Sequence, residues 1–196
     1  MAMGRPRAFD MDQALERALQ VFWRKGYEGA SLTDLTEAMG INPPSLYAAF
    51  GNKEGLFHKA VERYVAERGK FWAEAMNEPT ARAAVERLMR HSADFLTDKC
   101  NPGGCLLVQG ALSCSDQATP VKRALANRRA TGEARLRDRF ERAKSDGDLP
   151  AEVDPTDLAR YVMTMMEGMA IQAASGTTRE ALQRVVDVTL RSFPHL

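Results

Sequence analysis

An all-α fold is what the 196-residue sequence predicts: a small three-helix head joined by one long helix to a larger helical body. Three observations carry this. Apolar residues recur at the helical period along most of the chain, and no run alternates with the period of two that a half-buried strand needs. Start and stop residues divide the chain into about nine helical segments.

The head, residues 1–52, begins where Asp10 offers an N-cap to a helix with a stripe of Leu15, Ala18, Leu19 and Phe22. Glu16, Arg17, Gln20 and Arg24 fall outside that stripe, and Gly26 is expected to stop the helix. Residues 31–57, SLTDLTEAMGINPPSLYAAFGNKEGLF, then place two short helices around a tight turn. Ser31 with Asp34 three residues on is the pairing that satisfies orphan amides at a helix start. Leu35, Ala38 and Met39 share a face, and Gly40 suits the left-handed backbone where the chain reverses. Asn42 offers the next N-cap, with Pro43 and Pro44 at first-turn positions whose missing amides would have had no helical partner. Helix, glycine-containing turn and helix make a helix-turn-helix unit, whose second helix enters the DNA major groove.

On that second helix the period puts Leu46 and Phe50 inward and Pro44, Ser45, Ala48 and Ala49 outward. The outward face lacks Arg, Lys, Asn and Gln, so bidentate reading of guanine or adenine is not available from it. Small side chains instead let the backbone sit deep and pack on thymine methyls, with Ser45 as the only side-chain hydrogen-bonding group. Tyr47 flanks this face within reach of a phosphate, and Lys53 is a point charge suited to a backbone phosphate.

A connecting helix over 53–76 shows Phe57, Ala60, Val61, Tyr64, Phe71 and Trp72 at helical spacing. In the body, residues 77–196, a helix over 79–99 places Val85, Leu88, Met89, Ser92, Phe95 and Leu96 on one face. Asn101 to Gly104 breaks the chain before CLLVQGALS, apolar on most sides and so expected to be buried. Residues 118–145 form a long basic helix with a narrow stripe of Val121, Leu125, Leu136 and Phe140, its arginines expected in water. Asp154 and Pro155 open the next helix, and the last follows GTT at 176–178. These last two carry wider apolar faces than one small body needs, so they are expected to pair with a second copy in a homodimer.

Thr33, Gly40, Ile41, Leu46, Tyr47, Phe50, Lys53, Glu54 and Leu56 match the motif of the TetR/AcrR family of one-component repressors, which this chain resembles over about 50 residues. Asn42, Pro44 and Ala49 stand where the family usually has Ser, Gly and His. The resemblance implies a repressor that binds a pseudo-palindromic double-stranded DNA operator as a dimer and is released by a small-molecule inducer held in the body. Phosphate-contact roles carry over to Thr33, Tyr47 and Lys53, and with Asn42, Pro44, Ser45 and Ala48 these form the candidate DNA-binding set. Candidate pocket walls are Trp72, Met89, Phe95, Leu107, Tyr161, Met163 and Met166.

Composition bounds these readings. The formal net charge is +1, and residues 1–60 balance seven basic against seven acidic side chains. No carboxylate lies between Ala38 and Lys53, so the presumed DNA face is free of local repulsion. Gly4–Arg7, GRPR, reads as a basic arm comparable to those that enter the minor groove. No window is apolar enough for a membrane span and no signal peptide is evident, so a cytoplasmic location is expected. Three cysteines make no disulfide framework. Cys100 and Cys105 flank a Pro-Gly-Gly segment and offer an alternative, thiol- or electrophile-sensing repressor, in which Cys114 has less support. Three histidines without metal-ligand spacing, no phosphate-binding glycine loop and no nucleophile elbow speak against an enzyme, and no metal or cofactor is expected. A helical carrier or adaptor without DNA binding is the remaining alternative.

Overall fold

A computed structural model describes residues 9–112 and 118–194. The basic arm at Gly4–Arg7 and Cys114 lie outside the described residues. Nine helices and no strand occur among the described ones. The head holds α1 (Met11–Gly29), α2 (Leu32–Met39) and α3 (Pro43–Phe50). A long α4 (Lys53–Met76) leads to α5 (Ala81–Leu96), α6 (Leu106–Leu112), α7 (Thr119–Ser145), α8 (Pro155–Ala174) and α9 (Arg179–Arg191).

Local chemistry fixes the ends. Asp10 accepts hydrogen bonds from the Asp12 and Gln13 amides. Ser31 and Asp34 form the reciprocal capping box. Asn42, Asn52, Thr80, Asp154 and Thr178 cap α3, α4, α5, α8 and α9 through their side chains. Gly26, at φ 70° and ψ 175°, breaks the regular helix as expected, and only a short piece to Gly29 follows the kink. One expectation needs correction. The 79–99 helix is shorter at both ends, since the Thr80 side chain caps the Ala83 amide and Thr97 closes it.

The head does not own its core. Phe22, Leu35 and Leu46 pack in one cluster with Phe57, Val61 and Tyr64 of α4, Leu106 of α6 and Leu125 of α7. A second cluster joins α5, α7, α8 and α9 through Leu88, Phe140, Val162 and Leu182. At 24 residues α4 is about 36 Å long and contributes to both.

The hinge between α3 and α4 is tight. Gly55 donates its amide to Asn52 Oδ1 at 2.7 Å, and a Cβ there would stand 2.2 Å from the Phe50 carbonyl oxygen. Backbone cannot yield as a flexible side chain can. Gly55→Ala is therefore expected to lower unfolding stability by about 2 kcal/mol or more. A urea midpoint equal to the parent's would contradict this packing.

Candidate DNA-binding surface and body cavity

The second helix of the helix-turn-helix, α3, turns Leu46 fully inward and half-buries Phe50. Pro44, Tyr47 and Ala48 are exposed, while Ser45 and Ala49 are half-buried at the edge of the same face. Tyr47 shows 47% of its surface, which leaves its hydroxyl clear of the head core. Asn42 is exposed and its Oδ1 accepts the Ser45 amide at 2.9 Å, which leaves its amide nitrogen and one Oδ1 lone pair for an outside partner. Thr33 is exposed in the first turn of α2. Lys53, in the first turn of α4, sets its Nζ 4.7 Å from the Tyr27 ring centroid. Burial lowers its pKa, with Glu28 opposing.

Behind the head lies an aromatic junction. Trp23 of α1 meets Tyr64 of α4 edge-on at 5.0 Å and stacks on Phe95 of α5 at 5.5 Å. Arg68 lies over the Phe95 ring at 4.3 Å and donates to Tyr64 Oη at 2.6 Å. The Tyr64 hydroxyl in turn lies 3.3 Å from Cys105 Sγ. Burial pushes the Tyr64 hydroxyl well above its usual pKa, so it stays protonated and can donate to that sulfur.

Tyr64, Arg68 and Cys105 also form one wall of a cavity of about 150 Å³ in the body. Gly69 and Trp72 continue the α4 wall, Ser92 and Leu96 come from α5, and Leu107 and Val108 from α6. Across it stand Arg128, Arg129, Gly132 and Arg135 of α7, with Met163, Met166 and Glu167 of α8. Arg129 donates to the Leu107 carbonyl at 2.7 Å and pairs with Glu167 at 3.4 Å. Burial raises the Glu167 pKa, and Arg129 partly opposes this.

Residues 14–60 match the family model described as bacterial regulatory proteins, tetR family, and residues 81–189 match the tetracyclin repressor-like C-terminal domain. The chain belongs to the TetR family. It is 35% identical over 195 residues to the HTH-type transcriptional repressor ComR of Escherichia coli K12, covering 98% of this chain and 93% of ComR. It is 31% identical to the uncharacterized regulator YezE of Bacillus subtilis over 96% of this chain and 98% of YezE. Among solved structures, a cysteine mutant of the TetR-family regulator CifR, complexed with 26-base-pair operator DNA, superposes with a TM-score of 0.93. The two are 44% identical, over 97% of this chain and 100% of that one. This TetR-family chain is thus a DNA-binding transcriptional regulator with a helix-turn-helix head and a helical C-terminal domain.

Of the pocket residues expected from sequence, Trp72, Leu107, Met163 and Met166 line the cavity. Three others do not. Met89 is wholly buried in the body core, Tyr161 is 40% exposed on the outer side of α8, and Phe95 is taken up between Trp23 and Arg68. Helical spacing says that such residues share a face, not which neighbour that face meets. The expectation that the arginines of α7 sit in water is also corrected. Arg139 is only 6% exposed, where it donates to the Glu78 carbonyl at 2.9 Å, and Arg129 is half-buried at the cavity, whereas Arg128 and Arg135 border the cavity but stay exposed as expected. Missed as well were Gly69 and Gly132. Each is a glycine inside a long helix that costs about 1 kcal/mol against alanine, which was a readable signal for kept space. Cys105 lies on the cavity wall, whereas Cys100 is exposed on the loop before α6. No described helix is long and apolar enough to cross a membrane.

The capping box sets one pH dependence. Hydrogen bonds from Lys25 and Ser31 lower the Asp34 pKa to about 2. A depressed carboxylate contributes stability that is complete above its unfolded value near 3.8 and is lost as pH falls through about 2. An NMR titration of the Asp34 carboxyl is expected to find its midpoint near 2; a midpoint near 3.8 would show that the box does not persist in solution.

Proposed function

We propose that this protein represses transcription as a homodimer on a pseudo-palindromic operator and leaves DNA when a small molecule occupies the body cavity. The observation that carries the reading is that head and cavity share a wall: Tyr64 lines the cavity and packs edge-on against Trp23 of the head. A ligand that repositions α4 or α6 repositions the head with them. It favours a pair of heads wrongly spaced for successive half-sites, and reciprocity makes DNA weaken ligand binding equally.

On DNA, Pro44 and Ala48 meet thymine methyls, Ser45 supplies the hydrogen bond, and Asn42 keeps its amide nitrogen for the groove edge. Thr33, Tyr47 and Lys53 contact phosphates. The repressor names of ComR and other relatives, and the operator complex of CifR, support this direction. The dimer is supported by an uncovered strip on the last two helices: Tyr161, Gly168 and Ile171 at helical spacing on α8, and Val188, 54% exposed, on α9. Two-fold pairing of these helices buries that strip in a four-helix interface.

A second reading rests on Cys105, whose sulfur faces the Tyr64 hydroxyl and lies 4.0 Å from Arg68 Nη1 on the cavity wall. Conjugate addition of its thiol to an activated alkene forms a C–S bond at the β-carbon and moves the proton to the α-carbon, with no co-reactant needed. Cys100, exposed and far less enclosed, is the weaker candidate.

Fluorescence anisotropy with a palindromic duplex from the protein's own upstream region tests the DNA contacts. Lys53→Ala is expected to weaken binding across all sequences and to lower the salt slope by about 1, whereas Ser45→Ala changes the ranking of sites. If no salt-sensitive binding appears, a ligand carrier without DNA binding is the better account.

Release is tested with two further variants. Gly132→Leu places a side chain toward Met163 and Trp72, so it is expected to keep operator affinity while losing response to any ligand. Cys105→Ser loses the response only if the signal is covalent. A response intact in Gly132→Leu would move the effector site elsewhere.

A further inference from the structure

The charge around the cavity does not match the charge of the chain. The protein as a whole is almost neutral, with 27 basic and 26 acidic residues, yet the cavity gathers Arg68, Arg128, Arg129 and Arg135 against Glu167 alone. On other faces of α7, Arg137 pairs with Asp138 and Glu141, and Arg139 and Arg142 donate to the carbonyls of Glu78 and Met76. Arg128 and Arg135, at the cavity, make no ion pair or hydrogen bond among the described residues. Arg68 is half-buried and has aromatic faces, a tyrosine hydroxyl and a sulfur around it, but no carboxylate among the described residues. A cation withdrawn from water without a counter-charge is costly, and an incoming anion relieves that cost.

Apart from the Tyr64, Ser92 and Thr131 hydroxyls and the Cys105 thiol, the rest of the lining is apolar. Trp72, Leu96, Val108, Met163 and Met166 offer no hydrogen-bonding group toward a ligand other than the Trp72 indole N–H. A cavity of about 150 Å³ suits a body about the size of benzene or a short alkyl chain. We infer that the effector is a small amphipathic carboxylate, an aryl or short-chain alkyl acid whose carboxylate is held by Arg68 and the α7 arginines while its apolar body lies against Trp72 and Met163. This rests on the cavity being the effector site of the proposed repressor, and it names the class of compound that site selects. Guanidinium groups suit the ligand because their planar donors meet a carboxylate in pairs.

Calorimetric titration of the protein with pentanoate and phenylacetate, against pentan-1-ol and 2-phenylethanol, tests the inference without DNA. The acids are expected to bind at least roughly tenfold tighter than the alcohols. Arg68→Gln should lose roughly tenfold, and Arg68→Lys should recover part of it. Because Arg68 also packs in the junction, Arg128→Ala/Arg135→Ala provides a surface variant that should fold as the parent does and bind the acids several-fold more weakly with a smaller salt dependence. Alcohols binding as tightly as acids, acids not binding at all, or acid affinity unchanged in the surface variant each overturns the inference. Operator binding of the ligand-free protein is measured in parallel. Its loss would sink the repressor reading, while intact operator binding with no acid binding would sink only the choice of ligand.

Discussion

Edge-to-face contact between Trp23 and Tyr64 is the interaction on which the architecture turns. It lies where the head, the long connecting helix and the body meet, and it is reinforced by Phe95 stacked on Trp23 and by Arg68 over Phe95. Aromatic pairs of this kind contribute about 0.5–1.5 kcal/mol beyond their buried area, and they fix orientation as well as distance. A head tied only by a flexible linker could not report what happens in the body. Here the head's own core includes Tyr64 and Leu106, so α4 or α6 cannot move without changing the packing under α1. The same Tyr64 faces Cys105 across the cavity wall, which puts the chemistry of the cavity one side chain away from the core of the DNA-binding unit.

The proposed DNA face follows a different logic, in which geometry would substitute for charge. Its second helix presents small residues and takes its N-terminal direction from Asn42 and two prolines, and its C-terminal limit from Gly51 at φ 77°. Short side chains bring backbone close to the groove floor but supply little binding energy one at a time. On the proposed reading a neutral head would rely on placement: Tyr47 exposed, Thr33 at the start of α2, and Lys53 set over the Tyr27 ring. A lysine held in this way loses less side-chain freedom on meeting a phosphate, which partly offsets its own desolvation.

What the sequence made legible was local. Ser31, Asp34, Asn42 and Asp154 declare helix starts through bonds that span two or three residues, and the structure shows those bonds. Helix order, the inward turn of Leu46 and the outward turn of Tyr47 and Ala48 follow from the helical period alone. The cavity was only half legible because its wall is a tertiary fact. Met89 and Met166 are the same residue type on similar apolar stripes, yet one is sealed among helices and the other borders empty space. The arginines of α7 looked solvated because a charged helix usually is, and Arg128 and Arg135 are exposed even though they border the cavity. Nothing local distinguishes Arg137, which pairs with its neighbours on the same helix, from Arg135, which faces the cavity. The helix-interior glycines were an overlooked clue, since Gly69 and Gly132 both border the cavity and add no side chain to fill it.

Those glycines also bear on how a small ligand could release a DNA-bound dimer. Moving a two-state equilibrium from 1:99 to 99:1 needs about 5.5 kcal/mol of differential binding, a preference of about 10⁴-fold. A cavity of about 150 Å³ admits only a small body, so one such ligand would have to devote most of its binding energy to discrimination. Two copies divide the task. In a two-fold dimer each cavity needs to contribute about 2.7 kcal/mol, a preference of about 100-fold, which lies within the usual range for coupling between sites. A guanidinium that is uncompensated in one state and paired with an anion in the other could supply a difference of that size. The helix pairing that matches two heads to two half-sites would then also let a weak ligand act as a decisive one.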